Sequence, residues 1–244
     1  MLLIEHLGIA WRPIPKCGTS SSFKLIYDNL YDDDISKLKS PGWKDARYLR
    51  ARLRNNFKCD NLRGVTDEEH EKMLSSDIFV FALVRNPWAR LVAGYLQAMR
   101  WFDPEMDSEQ RDAIAYNQKR RLGLKNDEIY TLLNGDLSFE NFVDFVVNVE
   151  PYETNDINNH WKPQSKMLRP NFFKYDFFGK IEEWDYTWEL IKHNSKMHFT
   201  KTPNLNRHPK YNYKDFYTNT KLINKVEQYY LRDLELFKDY VFDK

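Results

Sequence analysis

Apolar positions in residues 7–14 run almost unbroken up to Pro15, the pattern of a short buried strand. A turn rich in small residues follows, Lys16-Cys17-Gly18-Thr19-Ser20-Ser21-Ser22, and leads into a helix with Phe23, Ile26, Tyr27 and Leu30 at helical spacing. Residues 77–84 (DIFVFALV) are nearly all apolar, which predicts a strand covered on both faces, as in a parallel sheet. Arg85-Asn86-Pro87 ends it, and the proline suits the start of a helix over 88–101 that places Leu91, Val92, Tyr95, Leu96 and Met99 on one face. Beyond it the pattern predicts a helix near 138–149, with Ser138 and Asn141 in its N-cap region. A strand within 172–182, a helix over 185–193, a short last strand at 197–200 and a C-terminal helix over 218–238 complete the series. Residues 155–164 and 204–217 read as polar loops, and no internal repeat or linker interrupts the chain. Strands alternating with helices predict one α/β domain over residues 1–244, a mostly parallel sheet flanked by helices.

Composition narrows the partners. The 244 residues carry 37 Lys and Arg against 36 Asp and Glu, a net charge of +1, which argues against bulk affinity for nucleic acid or anionic lipid. Hydrophobic residues at 42 % and aromatics at 16 % are enough for a sizeable core and exclude a disordered or collagen-like chain. A local basic stretch at 44–63 (Arg47, Arg50, Arg52, Arg54, Lys58, Arg63) reads either as a solvated helix face or as a wall facing an anionic ligand. No apolar run approaches the roughly 18–20 residues of a membrane span, and the first residues do not read as a signal peptide. Cys17 and Cys59 are too few for a disulfide framework or a zinc site. These features together lead us to expect a cytoplasmic, reduced protein.

The turn after the first strand is where chemistry concentrates. A strand, a glycine-containing turn with a lysine and then a helix directs backbone N–H groups, the helix dipole and an ammonium at one anion. The nucleotide loop G-x-x-x-x-G-K-[ST] is absent, because here the lysine precedes the glycine in Pro15-Lys16-Cys17-Gly18-Thr19-Ser20. An ordinary strand-to-helix turn remains the rival reading at this point.

Five segments in order resemble the sulfotransferases that use 3′-phosphoadenosine 5′-phosphosulfate (PAPS), most of all the carbohydrate branch. Pro15 to Ser20 match that family's P-K-x-G-[ST]-[ST] loop. Arg85-Asn86-Pro87-Trp88-Ala89-Arg90-Leu91-Val92-Ala93-Gly94-Tyr95 is similar to its R-[ND]-P-x-x-R-L-x-S-x-Y motif. Asn159-His160-Trp161-Lys162-Pro163-Gln164 resembles the branch's His-Trp-x-Pro-Gln segment, and Tyr175 to Glu182 its "YDFIGKFE" strand. The ending Tyr230-x-x-Asp233-x-x-x-Phe237-x-x-Tyr240 is similar to its C-terminal helix.

The resemblance implies a P-loop-type α/β fold, PAPS as donor, 3′-phosphoadenosine 5′-phosphate (PAP) as product and no metal. It implies that Lys16, Cys17, Gly18, Thr19, Ser20 and Ser21 hold the 5′-phosphosulfate and that Arg85 grips the 3′-phosphate. The serine that assists this arginine in the family is Ala93 here, a loss of one hydroxyl contact worth roughly 1.5–3 kcal/mol. Asn206, Arg207 and Lys210, with Lys201, would form a late basic loop over the nucleotide, or a solvated loop. The Golgi members carry an anchor and a stem, so a chain beginning near the first strand is expected as a free-standing catalytic domain or a microbial relative.

Sulfuryl transfer to a hydroxyl asks for alignment, charge neutralisation on the leaving phosphate and a base. Lys16 suits the leaving oxygen. His160 is the first candidate base, with a structural histidine ordering its loop as the competing reading; His70 and Glu182 are weaker candidates. Trp88 and Trp161 read as core or rim aromatics, or as stacking platforms for adenine or sugar. The expected acceptor is a hydroxylated carbohydrate or small molecule. A non-catalytic module binding the nucleotide or a sulfated glycan, and a P-loop small-molecule kinase, are the rival functions.

Overall fold

The computed structural model describes residues 1–30, 77–101, 138–148, 159–200 and 211–242. These fall into two compact units, Met1–Arg85 with Leu168–Lys210 and Asn86–Met167 with Tyr211–Lys244. The fold is mixed α/β, and its four-stranded sheet lies in the first unit.

That sheet has the order β1 (Leu2–Ile4), β2 (Ile9–Arg12), β3 (Phe79–Val84), β4 (Phe177–Lys180). β1 runs antiparallel to β2, while β2, β3 and β4 are mutually parallel, with Ile9 opposite Phe79 and Phe81 opposite Phe177. The strand expected over 7–14 is the shorter β2, and β1 precedes it outside those bounds. A 3-10 turn at Glu5–Leu7 ends in Gly8 at φ 65, which reverses the chain and pairs Leu2 with Trp11. Alternation puts Trp11 and Phe81 on one face of the sheet. There they meet Phe23 of α1 (Thr19–Leu30) and Trp188 of α5 (Trp184–His193), with ring centroids 4.9 and 6.0 Å apart. Gly179 of β4 is needed on that face, since a Cβ there would lie 2.3 Å from Thr187 Cγ2. Ala10 and Val80 look the other way, onto Met1, Phe173 and Tyr175.

β4 lies within 172–182, as expected. Its aromatic lead-in does not join the ladder: Phe173 and Tyr175 lie across the sheet face, Tyr175 bonding the Leu168 carbonyl at 2.8 Å, and residues 181–183 turn as a 3-10 helix. Residues 197–200 form no strand either. The Lys196, Met197 and His198 N–H groups go singly to Leu7 O, Ser195 Oγ and Asn29 Oδ1, which leaves no ladder to extend.

The second unit is helical, with α2 (Pro87–Trp101), α3 (Phe139–Asn148), α6 (Thr220–Tyr229) and α7 (Leu231–Phe237), and the start of the short α4 (Gln164–Leu168). Ser138 caps α3 by accepting from Asn141 N at 3.2 Å, as its position in the sequence predicts. The core joins Leu91, Val92, Phe142, Val146, Val226 and Tyr230. Each such buried side chain contributes about 1.5–3 kcal/mol relative to exposure. The helix expected over 218–238 breaks at Tyr230, whose φ of −102 and ψ of 18 let its side chain and that of Asp233 serve one turn described below. Within 204–217, the described part carries a 3-10 turn at Tyr213–Phe216, and Tyr217 donates its hydroxyl to Trp88 O at 3.1 Å.

Candidate functional site

The loop between β2 and α1 has unusual backbone geometry for its residue types. Lys16 sits at φ 69 and Gly18 at φ 68, so two left-handed residues flank Cys17. Such alternation of hand turns successive N–H groups toward one concavity. Glycine meets the requirement at 18 without strain, whereas at Lys16 the conformation costs on the order of 1 kcal/mol and is held by neighbours. Cys17 N donates to Ile14 O at 3.2 Å, Thr19 Oγ1 donates to the same carbonyl at 2.7 Å, and Ser22 N reaches Gly18 O at 3.0 Å. From the neighbouring strand end, Arg85 Nη1 donates to Lys16 O at 3.3 Å. The arginine that follows β3 is thus bonded to the loop that follows β2, both at the carboxyl ends of parallel strands, where ligands of such sheets bind.

Electrostatics favour an anion here. α1 opens at Thr19, its first-turn N–H groups have no carbonyl within the helix to bond, and no acidic residue lies in that turn. Thr19 and Ser20 are half-buried, while Ser21 and the Cys17 thiol are buried at 3 % and 1 % exposure. The helix takes up Ser20 to Ser22, so the expected turn is shorter than 16–22 and these serines present first-turn groups. Trp184, which the sequence did not single out, packs on the loop: a Cβ at Gly18 would lie 2.4 Å from its Cζ3. Gly18 is therefore required twice, for its backbone hand and for the indole that covers it.

The second unit carries His160 and Ala93. His160 is half-buried in a turn at 159–163 that precedes α4. Buried side chains hold the backbone of that turn along its length. Arg90 of α2, with no exposed surface, donates Nη2 to Asn159 O at 2.9 Å and Nη1 to Lys162 O at 2.8 Å. The His160 carbonyl lies against Gly94, where an added Cβ would come within 3.2 Å of it. Tyr230 donates its hydroxyl to Trp161 O. Asp233, fully buried, accepts from Gln164 N at 2.8 Å and Ser165 N at 2.7 Å and so caps α4 from 69 and 68 residues away. Burial raises the Asp233 carboxyl above the usual range, only partly offset by the Ser165 and Gln164 donors and by the nearby Arg90 charge. Burial likewise raises the Tyr230 hydroxyl.

Ala93 is buried on α2 and offers a methyl group. Trp88 and Trp161 are core residues: Trp88 Nε1 donates to Ile223 O at 3.4 Å, and the Trp161 ring meets Phe142 edge-on at 5.2 Å. Glu182 is exposed in its 3-10 turn. His70, the basic stretch 44–63, Lys201, Asn206, Arg207 and Lys210 lie outside the described residues. Among the described residues no three His, Cys, Asp or Glu side chains gather into a set that would hold a metal ion, and no helix is long and apolar enough to cross a membrane.

Comparison with known proteins adds the following. The model of one family, the Sulfotransferase family, matches residues 1–241. Carbohydrate sulfotransferase 14 of Danio rerio is 29 % identical over 123 residues, which are 49 % of this chain and 31 % of that protein. The match thus spans about a third of the length of that curated relative. No solved structure matches the chain.

Proposed function

This chain belongs to the Sulfotransferase family, and from that premise we propose that it moves a sulfuryl group from PAPS to an acceptor hydroxyl, with carbohydrate as the acceptor class. The observation that carries the proposal is the loop after β2: two left-handed residues around Cys17, a helix start without an acid, and Arg85 bonded to the Lys16 carbonyl. That donor set suits a phosphosulfate, because ammonium, guanidinium and N–H groups all donate to anionic oxygen. The carbohydrate acceptor rests on the name of the Danio rerio relative and on the motifs shared with the carbohydrate branch.

PAPS supplies the activated sulfuryl group and a phosphate leaving group. The transfer forms a bond from acceptor oxygen to sulfur and breaks the bond from sulfur to the bridging oxygen of the phosphate. Lys16 neutralises the charge that grows on that bridging oxygen, an effect worth the most where water is excluded. Ser20 and the first-turn N–H groups of α1, that of Thr19 among them, hold the 5′-phosphate end. Arg85 takes the 3′-phosphate through its guanidinium. The acceptor proton passes to His160, the nearest match to a base in the shared motifs.

Replacing Lys16 tests the assignment. Lys16→Ala should lower transfer of radiolabelled sulfate from PAPS to a glycan panel about 10²- to 10³-fold, the scale of losing one preorganised charge-stabilising donor. Circular dichroism should show the fold intact. Full turnover in the variant would remove Lys16 from the mechanism. Binding of PAP by the wild-type protein with no transfer to any acceptor would favour the non-catalytic binding module, the reading to which Ala93 lends weight.

A further inference from the structure

The turn carrying His160 is held by groups too costly to be incidental. Residues 159–163 form no helix or strand, so no ladder fixes their shape. Yet the carbonyls of Asn159, Trp161 and Lys162 each accept from a buried side chain, and the next two N–H groups, of Gln164 and Ser165, share one buried carboxylate. Taking a guanidinium and a carboxylate fully out of water costs several kcal/mol per ion before their bonds return it. A turn needing only to be closed could be closed by proline or glycine.

The donors also match their tasks. Arg90 spans two carbonyls three residues apart with the fork of one planar guanidinium, which a lysine cannot reproduce. Gly94 lets the His160 carbonyl lie flat on α2. Tyr230 reaches Trp161 O because the C-terminal helix breaks at that residue. Two segments distant in sequence, α2 and the start of α7, therefore converge on five residues around one imidazole.

We propose that Arg90, Tyr230 and Asp233 are positioning residues of the reaction, which fix the orientation of the His160 imidazole by clamping the backbone on both sides of it. The inference rests on His160 as the base of the proposed transfer. None of the three touches substrate in this account; each acts through the turn. A base displaced by an ångström loses on the order of 10²-fold in rate, so a clamp of this kind shows in turnover before it shows in binding.

The test uses Tyr230→Phe, which deletes one hydroxyl and keeps the ring in the core, with Asp233→Asn as a second variant on the other side of His160. In Tyr230→Phe, kcat should fall about tenfold while the Kd for PAP stays within about twofold. The 13C and 15N signals of the His160 imidazole should shift or broaden relative to the wild type, assigned by their loss in His160→Ala. Unchanged His160 signals in both variants would overturn the proposal, as would a loss of kcat matched by an equal loss of PAP affinity. Full turnover in His160→Ala would overturn it by removing the base, and PAP binding retained in that variant would leave the nucleotide reading standing.

Discussion

The phosphate-type loop and the His160 turn are built by opposite means. The loop is made largely locally: Ile14, Lys16, Cys17, Gly18 and Thr19 bond or turn within a few residues of one another, while Arg85 and Trp184 come from afar. The His160 turn is held almost entirely from a distance, by Arg90, Tyr230 and Asp233 at separations of 68 to 72 residues. A local device tolerates change elsewhere in the chain and fails sharply when its own residues change. A clamped turn is sensitive to distant core substitutions and degrades by degrees. The same reaction would thus be vulnerable in two different ways.

Adding one methyl to each region should separate the two most clearly. Gly18→Ala imposes a left-handed backbone on alanine, about 1–2 kcal/mol, and drives its Cβ to 2.4 Å from the Trp184 ring. Calorimetry should find PAP affinity down by more than about tenfold. Gly94→Ala presses on the His160 carbonyl at 3.2 Å, which neighbours can relieve by a few tenths of an ångström. It should slow transfer by a few-fold and leave PAP affinity unaltered. The reverse pattern would show that the two regions divide the work differently.

Asp233→Asn leaves one backbone donor without its acceptor and should cost about 1–3 kcal/mol of stability. Its pH dependence has a definite sign. Burial raises the folded-state pKa of Asp233 above its ordinary value of 3.8, so the folded protein holds that proton more tightly than the unfolded chain. Ionisation therefore lowers stability as pH climbs from the unfolded pKa through the raised folded one. The advantage of wild type over Asp233→Asn should shrink across that window and then level off. Denaturant titrations at a series of pH values check it, and an advantage that widens with pH would contradict the direction.

Ala93→Ser restores the hydroxyl of the family motif. If that position faces the 3′-phosphate, PAP should bind about tenfold tighter, the lower end of a hydrogen bond to a charged group. An unchanged dissociation constant would take position 93 out of the nucleotide site.

How much of this was legible in the sequence follows the same division. β3 and α2 could be read from residues 79–101 because a strand buried on both faces and a one-sided helix leave plain periodicities. The loop at 16–21 was legible because its chemistry is contiguous. β1 was missed, since Leu2–Ile4 is too short to read as a strand by itself and the 3-10 turn ending at Gly8 folds it back onto Ile9–Arg12. The aromatic run before β4 mimics a strand while lying across the sheet. Arg90, Tyr230 and Asp233 each stand in a recognisable motif, yet nothing in their spacing says that they meet. Trp184 left no signal at all, because its role depends on the space above Gly18 and not on a pattern along the chain.

The proposed reaction requires that the loop after β2, together with Arg85, hold a 3′-phosphorylated adenosine nucleotide. Calorimetric titration of the wild-type protein with PAP and with ADP tests it most directly. PAP should bind at least about tenfold more tightly than ADP, since guanidinium–phosphate bonds are among the stronger polar contacts. Equal affinity for the two nucleotides, or a preference for ADP, would contradict it.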